Sequence, residues 1–102
     1  MRMKRLNINK VEQFIDEADG DPILLDVRTP AEYAQGHLPG ALNLSHELIP
    51  QATRQYDEDQ PLILYCRSGA RSTDATRFLM AQGFTRVYEA GGIIDYKGPV
   101  VR

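Results

Sequence analysis

Apolar positions follow two rhythms along this chain, one of helical period and one of short unbroken runs. Val11, Phe14, Ile15 and Ala18 recur at helical spacing and predict a helix over 10–18. Asn9 offers an N-cap for it, with Glu12 three residues on in a capping-box arrangement, and Gly20-Asp21-Pro22 ends it. Residues 5–8 ahead of it read as a short edge strand. Ile23-Leu24-Leu25-Asp26-Val27 is an apolar run broken by one acid. Short, and placed after a breaker, it reads as a buried strand. Thr29-Pro30-Ala31-Glu32 carries three helix-start signals: a capping hydroxyl, proline at the first helical position and a box-completing glutamate. Gly36 keeps that helix short, 37–40 is loop, and 41–44 is a second buried strand. Leu48, Ile49 and Ala52 share a face within 46–56, but Pro50 is tolerable only in a first turn. That helix therefore starts near Ile49 or is distorted. After the polar turn 57–61 comes a third core strand, 62–65, then a compact loop from Cys66 to Arg71. Ser72 is expected to cap a helix carrying Ala75, Phe78, Leu79 and Met80, with Gly83 as its C′ residue. Arg86-Val87-Tyr88 predicts a further strand, and Gly91-Gly92 opens a stretch with a last helical turn around 93–96.

Strands thus alternate with helices, which predicts an α/β fold with a mostly parallel sheet covered on both faces. Ligands of such sheets bind beyond the carboxyl ends of the strands, and Cys66 follows strand 62–65 directly. No repeat or linker interrupts the pattern, so residues 1–102 are expected to form one domain with its core over about 5–98. At 42% hydrophobic and 25% charged residues the composition is that of a folded globular chain rather than a disordered one. Fourteen acidic against twelve basic residues leave a net charge of −2, so no bulk positive field invites nucleic acid or an anionic membrane. No apolar run approaches a membrane span. The basic start Met1-Arg2-Met3-Lys4-Arg5 has no apolar stretch behind it and does not read as a secretory signal; the expected compartment is the cytoplasm.

Cys66 is the only cysteine, which excludes an internal disulfide and any multi-cysteine metal site. A lone cysteine is ordinarily a small buried hydrophobe, but its neighbours here point to chemistry. In Cys66-Arg67-Ser68-Gly69-Ala70-Arg71-Ser72, a strand, a tight loop and a helix N-terminus aim several backbone N–H groups into one concavity. Two arginines add positive charge, Gly69 permits an unusual φ, and Ser68 and Ser72 add small hydroxyls. Such a nest favours an anion, and the thiolate is the nucleophilic form of cysteine, favoured by helix N-termini and nearby cations such as Arg71. Without a partner thiol, Cys66 is suited to accepting a group and passing it on. If the group is a sulfur atom, the intermediate is a persulfide whose terminal sulfur is held by the loop.

Leu25-Asp26-Val27-Arg28-Thr29-Pro30-Ala31-Glu32-Tyr33, followed by Gly36-His37-Leu38-Pro39-Gly40-Ala41-Leu42-Asn43, resembles the upstream motif of rhodanese domains. The run from Cys66 to Ser72 resembles their active-site loop, and Gly83-Phe84, Val87 and Gly91-Gly92 fit their ending, although the family usually has tryptophan where Tyr96 stands. The resemblance covers nearly the whole chain. It implies a three-layer fold with a five-stranded, mostly parallel sheet, and a sulfurtransferase with Cys66 as nucleophile and no cofactor or metal. The implied partners are a small sulfur donor, thiosulfate or a persulfide, and an acceptor such as cyanide or a protein thiol. The loop residues Arg67, Ser68, Gly69, Ala70, Arg71 and Ser72 are expected to bind substrate, with Asp26, Arg28 and Glu32 in support.

Other uses of these residues compete. Asp26 and Arg28 order or charge the pocket, or form a structural pair or cap. Glu32 serves its capping box or reaches Arg71. His37 lies in a setting that looks like a fixed turn rather than a general base, and His46 reads as a surface or helix-start residue. Arg67 contacts an anionic donor or is solvated, and Tyr96 packs. Two functional rivals stand beside sulfur transfer: a cysteine-dependent phosphatase or arsenate reductase of related fold, and a non-catalytic rhodanese-like binding module. Only four residues separate Cys66 from Arg71, one fewer than in the loops of cysteine-dependent phosphatases, which favours sulfur over phosphate.

Overall fold

The structure is a computed structural model describing residues 2–102, so Met1 of the basic start lies outside the described residues. Five parallel strands form one sheet in the order β1-β5-β4-β2-β3: β1 (Lys4–Arg5), β2 (Ile23–Asp26), β3 (Leu42–Asn43), β4 (Leu62–Cys66) and β5 (Val87–Gly92). The helices α1 (Val11–Glu17), α2 (Pro30–Gln35), α3 (Ala52–Gln55) and α4 (Ala70–Ala81) supply the crossovers and cover both faces. Among the described residues no helix is long and apolar enough to cross a membrane.

Strand periodicity decides which face each side chain joins. On β4, Leu62, Leu64 and Cys66 join the cluster under α3 and α4, with Leu25, Val27, Ala75 and Leu79. Ile63 and Tyr65 join the opposite cluster with Leu24, Val11 and Leu38, against which Phe14, Ile15 and Tyr33 of α1 and α2 pack. Both central strands are buried on both sides, hence their near-continuous apolar sequences.

Two caps differ from expectation, and one expected distortion is present. Asn7, not Asn9, caps the first helical segment, a 3-10 turn over Ile8–Lys10 that leads into α1. Asn9 is drawn into tertiary bonds instead, donating to the Asp95 carbonyl and accepting from the Lys97 N–H, while Glu12 accepts from the Tyr96 hydroxyl. Residues 46–56 are indeed distorted by Pro50: His46–Gln51 is 3-10 and only 52–55 is α-helical. Finally, Ser72 does not cap α4. Gly69, at φ 109° in the left-handed region, stands at the N-cap, and Ser72 lies buried within the first turn. The capping box of α2 is present as expected, with Thr29 and Glu32 bonding reciprocally.

Candidate active site

Strand β4 is buried through its last residue, leaving Cys66 only 1% exposed. The left-handed turn at Gly69 then folds the chain back over the sulfur and starts α4. Two backbone donors converge on Sγ, the N–H of Gly69 at 3.0 Å and that of Ser72 at 3.4 Å, with the Ser72 hydroxyl also at 3.4 Å. The nest expected of the loop is therefore closed around the sulfur itself. Its floor is the end of β5. A Cβ on Gly92 would lie 2.2 Å from the Arg67 carbonyl oxygen, so the loop backbone sits directly on that glycine, and the Ile94 N–H donates to the same carbonyl.

Arg71 and Glu32 form a bidentate pair at 2.6 and 3.0 Å. Glu32 meanwhile accepts from the Thr29 N–H and hydroxyl, so one carboxylate performs both of the uses that seemed to compete in sequence. The Arg71 guanidinium beside it pulls the Glu32 carboxyl down to about 2, aided by Thr29 and opposed by burial. The same pairing raises Arg71, to which the nearby Cys66 adds a smaller contribution. Arg71 thus brings positive charge to the site with its guanidinium already bound to a carboxylate. The atoms in hydrogen-bond contact with the sulfur come from Gly69 and Ser72. Arg67, Ser68 and Ala70 are exposed on the rim of the loop.

Asp26 and Arg28 lie on the other side of the sheet from Cys66. Asp26 is fully buried, pairs with the Arg28 guanidinium at 2.7 Å, accepts from the Arg28 N–H, and takes the Tyr65 hydroxyl at 2.7 Å. Arg28 also donates to the Gly36 carbonyl. The pair therefore joins the strand end to the turn after α2 rather than entering the sulfur pocket. Burial drives the Tyr65 phenol well above its ordinary range, opposed by the Leu38 N–H that its oxygen accepts, and its bond to Asp26 adds to the rise. His37 stacks on the Tyr33 ring at 3.7 Å and bridges through its backbone to Val101, the fixed turn expected of it.

The sequence reading missed Glu89. This side chain is 3% exposed, points to the α4 face, and accepts from the Ser72 hydroxyl at 2.5 Å, the Gly91 N–H at 2.7 Å and Arg5 at 2.8 Å. The available signal was an acid inside an apolar strand, which the expected strand end at Tyr88 excluded.

The chain is similar to known proteins along most of its length. The rhodanese-like domain family matches residues 8–97. A sulfurtransferase of Allochromatium vinosum is 51% identical over 77 residues, covering 74% of this chain and 72% of the relative. A rhodanese with anions from E. coli superposes with a TM-score of 0.71 at 34% identity, over 79% of this chain and 98% of that one. The rhodanese-like domain of an Anabaena protein shares the fold, with a TM-score of 0.84 at 22% identity over 98% of this chain and 80% of that one. With the motifs, the parallel five-stranded sheet and the cysteine nest all in place, this chain belongs to the family of rhodanese-like domains.

Proposed function

We propose that this protein is a sulfurtransferase that carries a sulfane sulfur on Cys66. The Cys66 thiolate attacks the outer sulfur of thiosulfate. The new S–S bond forms as the donor's S–S bond breaks, and sulfite leaves with the electron pair. A thiophilic acceptor, cyanide in vitro or a protein thiol in the cell, then takes the terminal sulfur of the persulfide and returns Cys66 as thiolate. The scheme is ping-pong and uses no cofactor.

The observation that carries this reading is the pair of N–H groups, Gly69 and Ser72, trained on Sγ at the carboxyl end of β4. They favour negative charge at the sulfur without a side-chain base. The four-residue spacing between Cys66 and Arg71 suits one terminal sulfur better than a tetrahedral phosphoryl group. Arg67, Ser68 and Ala70 on the exposed rim are where the donor's oxyanion would be met. A lone thiol that must stay unpaired to work suits a reducing compartment, and we assign the reaction to the cytoplasm. Intact-mass spectrometry after thiosulfate treatment tests the reading. The expected result is a gain of one sulfur atom, removed by cyanide and absent in Cys66→Ser. A chain that never gains sulfur from thiosulfate overturns it.

A further inference from the structure

Three protein groups lie within hydrogen-bond reach of Cys66 Sγ, and two of them, the Gly69 and Ser72 N–H groups, only donate. The third, Ser72 Oγ, has a single proton and four acceptors around it: Glu89 Oε2 at 2.5 Å, the Gly69 carbonyl at 3.1 Å, the Gly91 carbonyl at 3.4 Å and Sγ at 3.4 Å. The carboxylate contact is the shortest, 0.9 Å shorter than the contact with the sulfur, so it takes the proton. Oγ then turns its lone pairs toward the sulfur. The two legs through Oγ also bring the carboxylate oxygen within about 6 Å of Sγ. Three packed elements face Glu89: β1 brings Arg5, β4 brings Cys66 and α4 brings Ser72. Arg71, also on α4, is bound to Glu32 instead.

We propose that Glu89 is a positioning residue for the sulfur chemistry, acting through Ser72 to withhold a hydroxyl hydrogen bond from the Cys66 thiolate and so favour the sulfur-loaded state. The inference rests on the reading of Cys66 as the sulfur carrier. When Cys66 is the thiolate, its charge sits on Sγ, within about 6 Å of the carboxylate and beside the Ser72 oxygen. In the persulfide Sγ is a neutral divalent sulfur, and the charge has moved outward to the terminal atom. Like charges repel, so the second state is favoured relative to the first. The bonds made and broken are those of the transfer reaction.

The test is the pH dependence of Cys66 alkylation by iodoacetamide, read without any sulfur donor, so that it stands apart from the mass-spectrometric test of sulfur loading. Glu89→Gln removes the charge and should move the alkylation curve to lower pH, with on the order of three- to tenfold faster alkylation below the parent's midpoint. Ser72→Ala separates the two directions of the hydroxyl and leaves a small side chain in its place. If the hydroxyl is withheld from sulfur, the Ser72→Ala curve stays put or moves to lower pH. A Ser72→Ala curve displaced to higher pH overturns the inference, because the hydroxyl was then donating to the thiolate. So does a folded Glu89→Gln protein whose curve overlays the parent's or moves upward. Should Glu89→Gln fail to fold, the Ser72→Ala curve decides alone.

Discussion

Replacing Gly92 by alanine adds one methyl group under the active-site loop. The backbone at Gly92, φ −126° and ψ 143°, is ordinary for alanine, so the substitution carries no conformational penalty of its own. Its cost is collision. The new Cβ would lie 2.2 Å from the Arg67 oxygen, 2.5 Å from Ser68 Cα and 2.6 Å from the Arg67 carbonyl carbon. All three are backbone atoms, so no rotamer change relieves the overlap. Reaching even the 3.0 Å floor of real Cβ contacts requires a shift of about 0.8 Å, and Arg67-Ser68 is the segment joining Cys66 to Gly69. The 3.0 Å bond from the Gly69 N–H to Sγ moves with it. A misplacement near 1 Å costs on the order of a hundredfold in rate. Overpacking of this kind costs about 1–3 kcal/mol, or roughly 4–8 °C in Tm for each kcal/mol in a domain of this size. Thiosulfate:cyanide turnover and thermal melting are the assays. Gly91→Ala is the contrast: at Gly91 φ is +81° and nothing lies within 4 Å of an added Cβ, so the cost there is backbone strain of about 1–2 kcal/mol and the smaller loss of rate. A Gly92→Ala protein that melts with the parent and turns over within threefold of it would falsify the account of the loop's floor.

Four further outcomes are expected. Cys66→Ser should abolish transfer while circular dichroism stays that of the parent, because the swap is nearly isosteric and the Gly69 and Ser72 N–H groups that reach Sγ can bond the new hydroxyl; persisting activity rules out Cys66 as carrier. The parent should turn over thiosulfate and leave p-nitrophenyl phosphate at background, and a Cys66-dependent phosphatase rate without persulfide would reverse the reading of loop length. Asp26→Ala strands a buried guanidinium and a buried phenol; denaturant unfolding should show a loss of about 3–5 kcal/mol, and a loss below about 1 kcal/mol would mean that the pair is not structural. Glu32 has its folded carboxyl lowered from 4.5 to about 2, so its pairing with Arg71 contributes fully above pH 4.5 and is lost as pH falls toward 2. With both side chains roughly a third exposed, solvent screening leaves about 1 kcal/mol, and the stability difference between parent and Glu32→Gln should shrink across that window. A difference that is constant from pH 5 to 2 contradicts the pairing.

Local signals carried much of this molecule. The apolar runs at 23–27 and 62–65 are strands because a segment buried on both faces has no polar side to show, and that composition is visible without a fold. The α2 cap, the Pro50 distortion and the Cys66 loop are legible for the same reason: each depends on residues a few positions apart. Where a side chain had two possible partners, one local and one distant, the sequence could show only the local one. Ser72 looked like a cap, but its hydroxyl goes to Glu89, seventeen residues on, and Gly69 serves as the cap position without any side chain. Asn9 looked like a cap and went to residues near the C-terminus, which left Asn7 to cap. Asp26 and Cys66 sit at the ends of neighbouring strands, and register decides their separation. Asp26 lies opposite Tyr65, so the two-residue period of the strand puts the acid on one face and the sulfur on the other. The chain alone therefore pointed to the candidate cysteine and to the backbone nest around it. Only the packing of β5 and α4 against β4 decided that a buried carboxylate and a glycine floor complete the site, because those contacts join residues that no local pattern connects.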